Sequence, residues 1–223
     1  MTEQLPVYIK VLFGLTVLIT LVWFFKAVKS KSVLIVIITW TLIQTVLGLN
    51  GFYQDTTHLP PRILLVGVFP PLILIAITIF TRKGKLIMNQ MDLKILTNIH
   101  VIRVPVEIVL VLLFSYELVS VYMTYHGTNF DLFSGLTAPI IGFIAFKKEK
   151  VNNKLLLIWN IVCLLLLLNV VITAAFALPS PFQKIALNQP NVALLYFPFN
   201  LLPSVIVPLV LFAHLVAIKR IIK

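Results

Sequence analysis

Acidic residues are scarce in this chain: seven Asp and Glu stand against 18 Lys and Arg in 223 residues, a formal net charge of +11. Charge of either sign is itself rare, at 11%, while hydrophobic residues reach 60%. A soluble domain of this size has too little interior to bury that much apolar side chain and too little polar surface to keep the remainder in water. Cysteine is almost missing. Cys163 stands alone, which excludes an internal disulfide and any Cys-x-x-Cys redox or zinc motif. It lies within an apolar run and reads as a small buried hydrophobe. The segment from Ser115 to Asp131 has no lysine or arginine at all.

What is present is a series of apolar runs with basic punctuation. About 20 apolar residues cross roughly 30 Å of hydrocarbon as a helix. Seven such spans are expected, over Val7 to Phe25, Ser32 to Leu49, Ile63 to Phe80, Leu93 to Phe114, Phe130 to Phe146, Leu155 to Leu178 and Val192 to Ile218. The reading is an all-α integral membrane protein, a bundle of seven transmembrane helices forming one domain over residues 1–223. The first run is too long for a signal-peptide core. It follows Glu3 rather than a basic segment and is followed by Lys26, Lys29 and Lys31, so it reads as a retained first span.

The cations set the orientation. Fourteen fall in the connections after spans one, three, five and seven, against Arg62 and Lys184 in the others. By the positive-inside rule the N-terminus lies outside and the C-terminus is cytoplasmic. The same clustering argues against nucleic acid as the partner, since the charge marks helix ends instead of forming one basic face. It favours anionic lipid headgroups on the cytoplasmic leaflet. Helical spans point to an inner or plasma membrane rather than to an outer-membrane barrel.

One span carries charge inside. His100, Arg103 and Glu107 are spaced i, i+3, i+7 in the fourth run and share one helix face. An Arg at bilayer depth costs from about 3 to more than 10 kcal/mol if it meets lipid, so it must face protein, a partner charge or water. If the helix continues to Tyr122, Glu117 lies on the same face nearer the outer surface. Arg103 and Glu107, four residues apart, are placed to neutralise each other. The second span presents Thr41, Gln44, Thr45 and Gly48 on one face, toward neighbouring helices. Pro70 and Pro71 interrupt the third span and Pro198, Pro203 and Pro208 the seventh, freeing backbone carbonyls that can line a cavity.

The function these features imply is small-molecule binding in an intramembrane polar cavity, transporter-like or receptor-like, with Arg103, Glu107, His100, Gln44 and Glu117 as ligand-binding residues. Arg103 would meet an anionic group, Glu107 would counter it or carry a proton, and His100 would relay protons. The alternatives are an intramembrane enzyme on a lipid or lipid-linked substrate, with Glu107 or His126 as general base and a metal as an option, and a structural subunit whose Arg103 pairs with another chain of a homo-oligomer or membrane complex. His100 and His214 fall at similar depth, the arrangement of a two-histidine haem ligand set, although single packed or hydrogen-bonded histidines are the preferred reading. Asp55, His58, Glu117, His126 and Asp131 share the outer side, yet none has tight metal-ligand spacing. A retinal protein needs a lysine in the middle of its last helix, and Lys219 stands at the end of this one.

Overall fold

A computed structural model describes residues 5–147 and 151–222; Lys148, Lys150 and Lys223 of the basic clusters, and Glu3 near the N-terminus, lie outside the described residues. The described chain is all helical, with no strand. Its helices are α1 (Val7–Val28), α2 (Lys31–Leu49), α3 (Ile63–Phe80), α4 (Arg82–Gln90), α5 (Leu93–Ser115), α6 (Leu132–Ala145), α7 (Asn153–Phe176) and α8 (Leu202–Ile222). Among the described residues, six of these are long and apolar enough to cross a membrane. The exception among the seven expected spans is α6, whose 14 residues reach only about 21 Å.

Large apolar side chains line the outside of the bundle, among them Leu18, Ile73, Ile77 and Phe80, while Gln44, His100, Arg103, Asn160, Asn200 and His214 are buried. That inversion of the usual soluble pattern is what a hydrocarbon surround selects. The centre is formed by α5 and α8, each with half of its apolar window buried; α2, with 11% buried, is a peripheral helix with its apolar surface exposed along most of its length. The first helix fills the remaining core against α5 and α8, with the Phe13 ring tilted against Phe199 at 5.3 Å and Phe24 against Phe212 at 6.2 Å.

Proline shapes two helices, and α2 repairs both. α3 opens as a wide π-helical turn over Ile63–Val68, and α8 does so over Leu202–Ile206. Pro70 has no N–H for the Val66 carbonyl four residues back, and Pro208 has none for Ser204. Gln44 Nε2 donates to Val66 O at 3.3 Å, and Trp40 Nε1 donates to Ser204 O at 2.8 Å. Asn200 Nδ2 returns a bond to Gln44 O at 2.8 Å. Gly48 permits that approach, since a Cβ there would lie 2.6 Å from the Asn200 side chain.

Several boundaries differ from expectation. The fourth span does not continue to Tyr122. Its helix ends at Ser115, Glu117 turns into the left-handed region at φ 59°, and Leu118 N–H closes the end onto Leu113 O. The last span does not begin at Val192. A single 3-10 turn over Val192–Leu195 precedes a bend, and helix resumes only at Leu202, past Pro198. No helix forms over Phe182 to Leu187, where the backbone turns back so that Lys184 N–H reaches Phe176 O at 2.8 Å. The connection after α3, in contrast, is itself the short helix α4. Thr81 caps it by accepting from Gly84 N, and it buries Gly84 and Met88 while its lysines face outward.

Candidate functional site

The fourth apolar run places its charges as its periodicity implied, and the long-range fold decides their partners. Arg103 lies about 15 Å along α5 from its start. Just before it, Ile99–Ile102 tighten into a 3-10 turn, because Pro105 cannot donate to the Val101 carbonyl four residues back. Arg103 is 5% exposed and Glu107 4%, and His100 is fully enclosed.

Arg103 and Glu107 do not pair. The guanidinium Nη1 forms a buried ion pair with Asp131, 28 residues on, at the N-cap position of α6. Asp131 also accepts from Ser134 Oγ at 3.2 Å. Gly135 allows the approach, since a Cβ there would lie 3.2 Å from both Arg103 Cβ and Val104 N. The other arm of the guanidinium, Nη2, donates to His214 Nε2 at 3.0 Å, and His214 Nδ1 lies 2.8 Å from Asn160 Oδ1. Arginine is only a donor and the amide oxygen only an acceptor, so these partners assign His214 the neutral Nδ1–H form.

Glu107 serves the loop. Its carboxylate accepts from Tyr125 N–H and from Asn129 Nδ2, both at 2.7 Å. Asn129 Nδ2 also donates to Met123 O, and Asn129 Oδ1 accepts the Asp131 N–H at 3.0 Å. A continuous polar chain therefore runs Glu107, Asn129, Asp131, Arg103, His214, Asn160. His100 stacks on His214 with ring centres 3.9 Å apart and planes 14° from parallel, and Trp159 meets it edge-on at 5.5 Å. Both His100 nitrogens and Arg103 Nε are buried without a hydrogen-bond partner.

A cavity of about 90 Å³ opens beside this chain, between α3, α5, α7 and α8. Its walls are aliphatic except for Arg103, Glu107, Asn129 and Asp131. Those four are bonded to one another or to the same groups, so the polar lining is a single patch. Two carboxyl groups and one guanidinium belong to it. The patch carries a net negative charge unless a proton occupies one carboxyl.

The other expected site residues lie elsewhere. Gln44 is buried but bonded to Tyr53 and to the Val66 carbonyl, where it mends the proline break in α3. Glu117 is exposed in the turn after α5. His100 and His214 do meet, but face to face, with both His214 nitrogens engaged, which leaves no place for an iron between two ring nitrogens. Among the described residues no three His, Cys, Asp or Glu side chains converge as a metal site. Asp55 and His58 instead join Arg62 in a small cluster on the connection between α2 and α3, with Asp55 to Arg62 at 2.6 Å and Asp55 to His58 at 3.1 Å. Asp131 and Asn129 were the residues missed: a G-T-N-x-D turn ahead of an apolar run signals a helix start, and nothing local says that its acid faces a cation from another helix.

Residues 60–222 match the protein family described as Domain of unknown function (DUF8737). The match takes in α3 to α8 and hence every residue of the polar chain, while α1 and α2 precede it. No curated protein and no solved structure matches the chain.

Proposed function

The chain belongs to the DUF8737 family, and from that premise we propose that it is a multi-pass membrane protein binding a small, mostly apolar molecule in the cavity between α3, α5, α7 and α8, as a transporter or a receptor does. The observation that carries this reading is the single polar patch in an aliphatic cavity, with a buried guanidinium N–H, Arg103 Nε, still lacking an acceptor. Buried donors are nearly always satisfied, and an orphan at a cavity is where a ligand acceptor belongs. The ligand places a carboxylate or carbonyl at Arg103, its apolar body lies along Leu110, Val171 and Ile206, and Glu107 or Asp131 holds the compensating proton.

Residues 1–223 act as one domain in this reading. Its topology has seven passes, α6 being the short one, with the N-terminus outside and the C-terminus cytoplasmic, in an inner or plasma membrane. A 90 Å³ cavity holds only a few water-sized groups. Ligand entry therefore goes with movement of α3 and α8, whose proline-broken openings face the cavity through Ile63, Leu64, Leu202 and Pro203.

The test is the thermal unfolding of purified chain in detergent against small aliphatic and aromatic carboxylates, each with its matched amide and amine. The expected result is a rise in Tm with carboxylates that follows concentration, equivalent to about 2.7 kcal/mol at a hundred times Kd. The shift is lost in Arg103→Lys, which keeps the charge and removes Nε, and in Val171→Trp, which fills the cavity. Wild type unmoved by every compound, or an Arg103→Lys variant shifted as far as wild type, refutes the reading.

A further inference from the structure

A second and larger cavity, about 330 Å³, lies at the opposite flank of the bundle, at the end where the basic residues gather. It is a groove between α2 and α3, floored by Phe212 of α8 and by Phe24 of α1. Val33, Val36, Leu74 and Ile75 form its walls, and Ser32 and Thr78 are the only polar side chains on it. The groove exists because α2 is tied down unevenly. Its long-range polar ties, from Trp40, Gln44 and the Gln44 carbonyl, all fall in its second half. The first two turns, from Lys31 to Ile37, have none of these ties and stand away from α3.

The mouth of this groove is basic. Lys31 directly precedes Ser32 on its rim. α4 lies across the end of α3 so closely that a Cβ on Gly84 would meet Thr78 O at 1.9 Å. Ile87 of α4 closes the groove, and Lys83 sits one turn before it on the same face. Arg82, Lys83 and Lys85 are all exposed. The one acid at this end among the described residues, Asp92, is occupied as the N-cap of α5, accepting from Lys94 N and Ile95 N. An apolar slot running about 10 Å along α3 from Thr78 to Pro71, opening onto uncompensated positive charge on a short amphipathic helix, is complementary to an anionic amphiphile of the bilayer.

We propose that the groove between α2 and α3 is a specific site for an anionic phospholipid, one acyl chain lying along Val36 and Ile75 and the headgroup held by Lys31 and Lys83. The site is separate from the cavity at Arg103, and stands or falls independently of the function proposed there. Its occupant braces the loosely tied half of α2 against α3.

Native mass spectrometry of the full chain tests this. The protein is released from micelles containing equal amounts of phosphatidylglycerol and phosphatidylcholine with the same acyl chains, together with the matching free fatty acid. One phosphatidylglycerol is expected to remain bound, about tenfold or more in excess over phosphatidylcholine. Lys31→Gln/Lys83→Gln, both at exposed positions, brings that ratio close to one. Ile75→Trp, which fills the groove, lowers retention of both lipids. Equal retention of the two lipids by wild type overturns the proposal, as does an unchanged ratio in the lysine variant, undiminished binding in Ile75→Trp, or preferred retention of the free fatty acid.

Discussion

Replacing Asp131 by Asn keeps the shape of the side chain and removes the charge that Arg103 faces. The guanidinium is then left in a site 5% exposed, with only neutral hydrogen-bond partners. Breaking a buried ion pair from one side costs about 3–5 kcal/mol, most of it the stranding of the remaining charge. At roughly 2–4 °C per kcal/mol for a chain of this size, Tm falls by about 6–20 °C. Arg103→Met strands the other partner and is expected to cost a similar amount. The double variant Arg103→Met/Asp131→Asn removes both charges and recovers much of the loss, so the coupling between the two positions is about 2 kcal/mol or more. Equilibrium unfolding in mixed micelles, followed by far-ultraviolet circular dichroism, measures all four corners of the cycle. The cycle with Glu107→Gln in place of Asp131→Asn gives the smaller coupling, since Glu107 bonds to Tyr125 and Asn129 and not to Arg103. If the larger coupling lies with Glu107, the helix-local pair is the true one and the pairing across helices is refuted.

Two further outcomes concern the end of the bundle where α2 meets α3. Gln44→Leu leaves the Val66 carbonyl and the buried Tyr53 hydroxyl without partners, at about 1–3 kcal/mol each; burial pushes the Tyr53 phenol up to about 12 against the lowering effect of Gln44, so it stays a donor throughout the physiological range. A Tm within about 2 °C of wild type would show that α2 does not repair the break in α3. Asp55 is held below its ordinary value, first by the Thr57 hydroxyl and then by the Thr57 amide, with Arg62 and His58 adding to the effect. A depressed carboxyl stabilises its loop above the unfolded value near 3.9 and loses that contribution as pH falls through the folded one. The carboxyl resonance of Asp55 should titrate below about 3.9 and move upward in Thr57→Val; a midpoint at or above 3.9 contradicts the Thr57 contacts.

The features legible in the sequence were those written in local periodicity. Long apolar runs marked the six full-length helices, and the spacing of His100, Arg103 and Glu107 put three buried polar groups on one helix. Matching depths, counted from Lys94 and Lys219, foretold that His100 and His214 lie at one level. What sequence could not supply was the partner. The i, i+4 rule offered Glu107 to Arg103, a preference worth only a few tenths of a kcal/mol on an isolated helix, whereas a desolvated guanidinium decides its geometry by several. Asp131 won because α6 begins where it does. α4 escaped notice because nine residues rich in Lys and Arg resemble a connection, and only the spacing of Gly84, Ile87 and Met88 hints at a buried face. Gln44 pointed inward as expected, but a side chain that mends a proline break and one that meets a ligand look the same in sequence.

The shortness of α6 explains how the site is built. α6 is only about 21 Å long, and the segment between Ser120 and Phe130 that precedes it carries largely irregular backbone to the level of Glu107, which accepts the Tyr125 N–H. Such backbone survives at that depth only when protein groups satisfy it. Here they do: Glu107 takes the Tyr125 N–H, Asn129 the Met123 carbonyl, Asn169 the Thr128 carbonyl and Asn191 the Ser120 N–H. Most of the buried amide and carboxyl groups in this half of the molecule are therefore committed to holding that segment in place. Subtracting them leaves few polar atoms with nothing to hold, chiefly the two nitrogens of His100 and Arg103 Nε. Structural polarity in a membrane bundle is expected to be saturated, because each orphan costs about 1–3 kcal/mol. Arg103 Nε, the orphan whose residue lines the 90 Å³ cavity, is consequently where binding chemistry is to be sought, and Glu107, the most conspicuous acid of the fourth run, holds the loop that delivers Asp131 to Arg103.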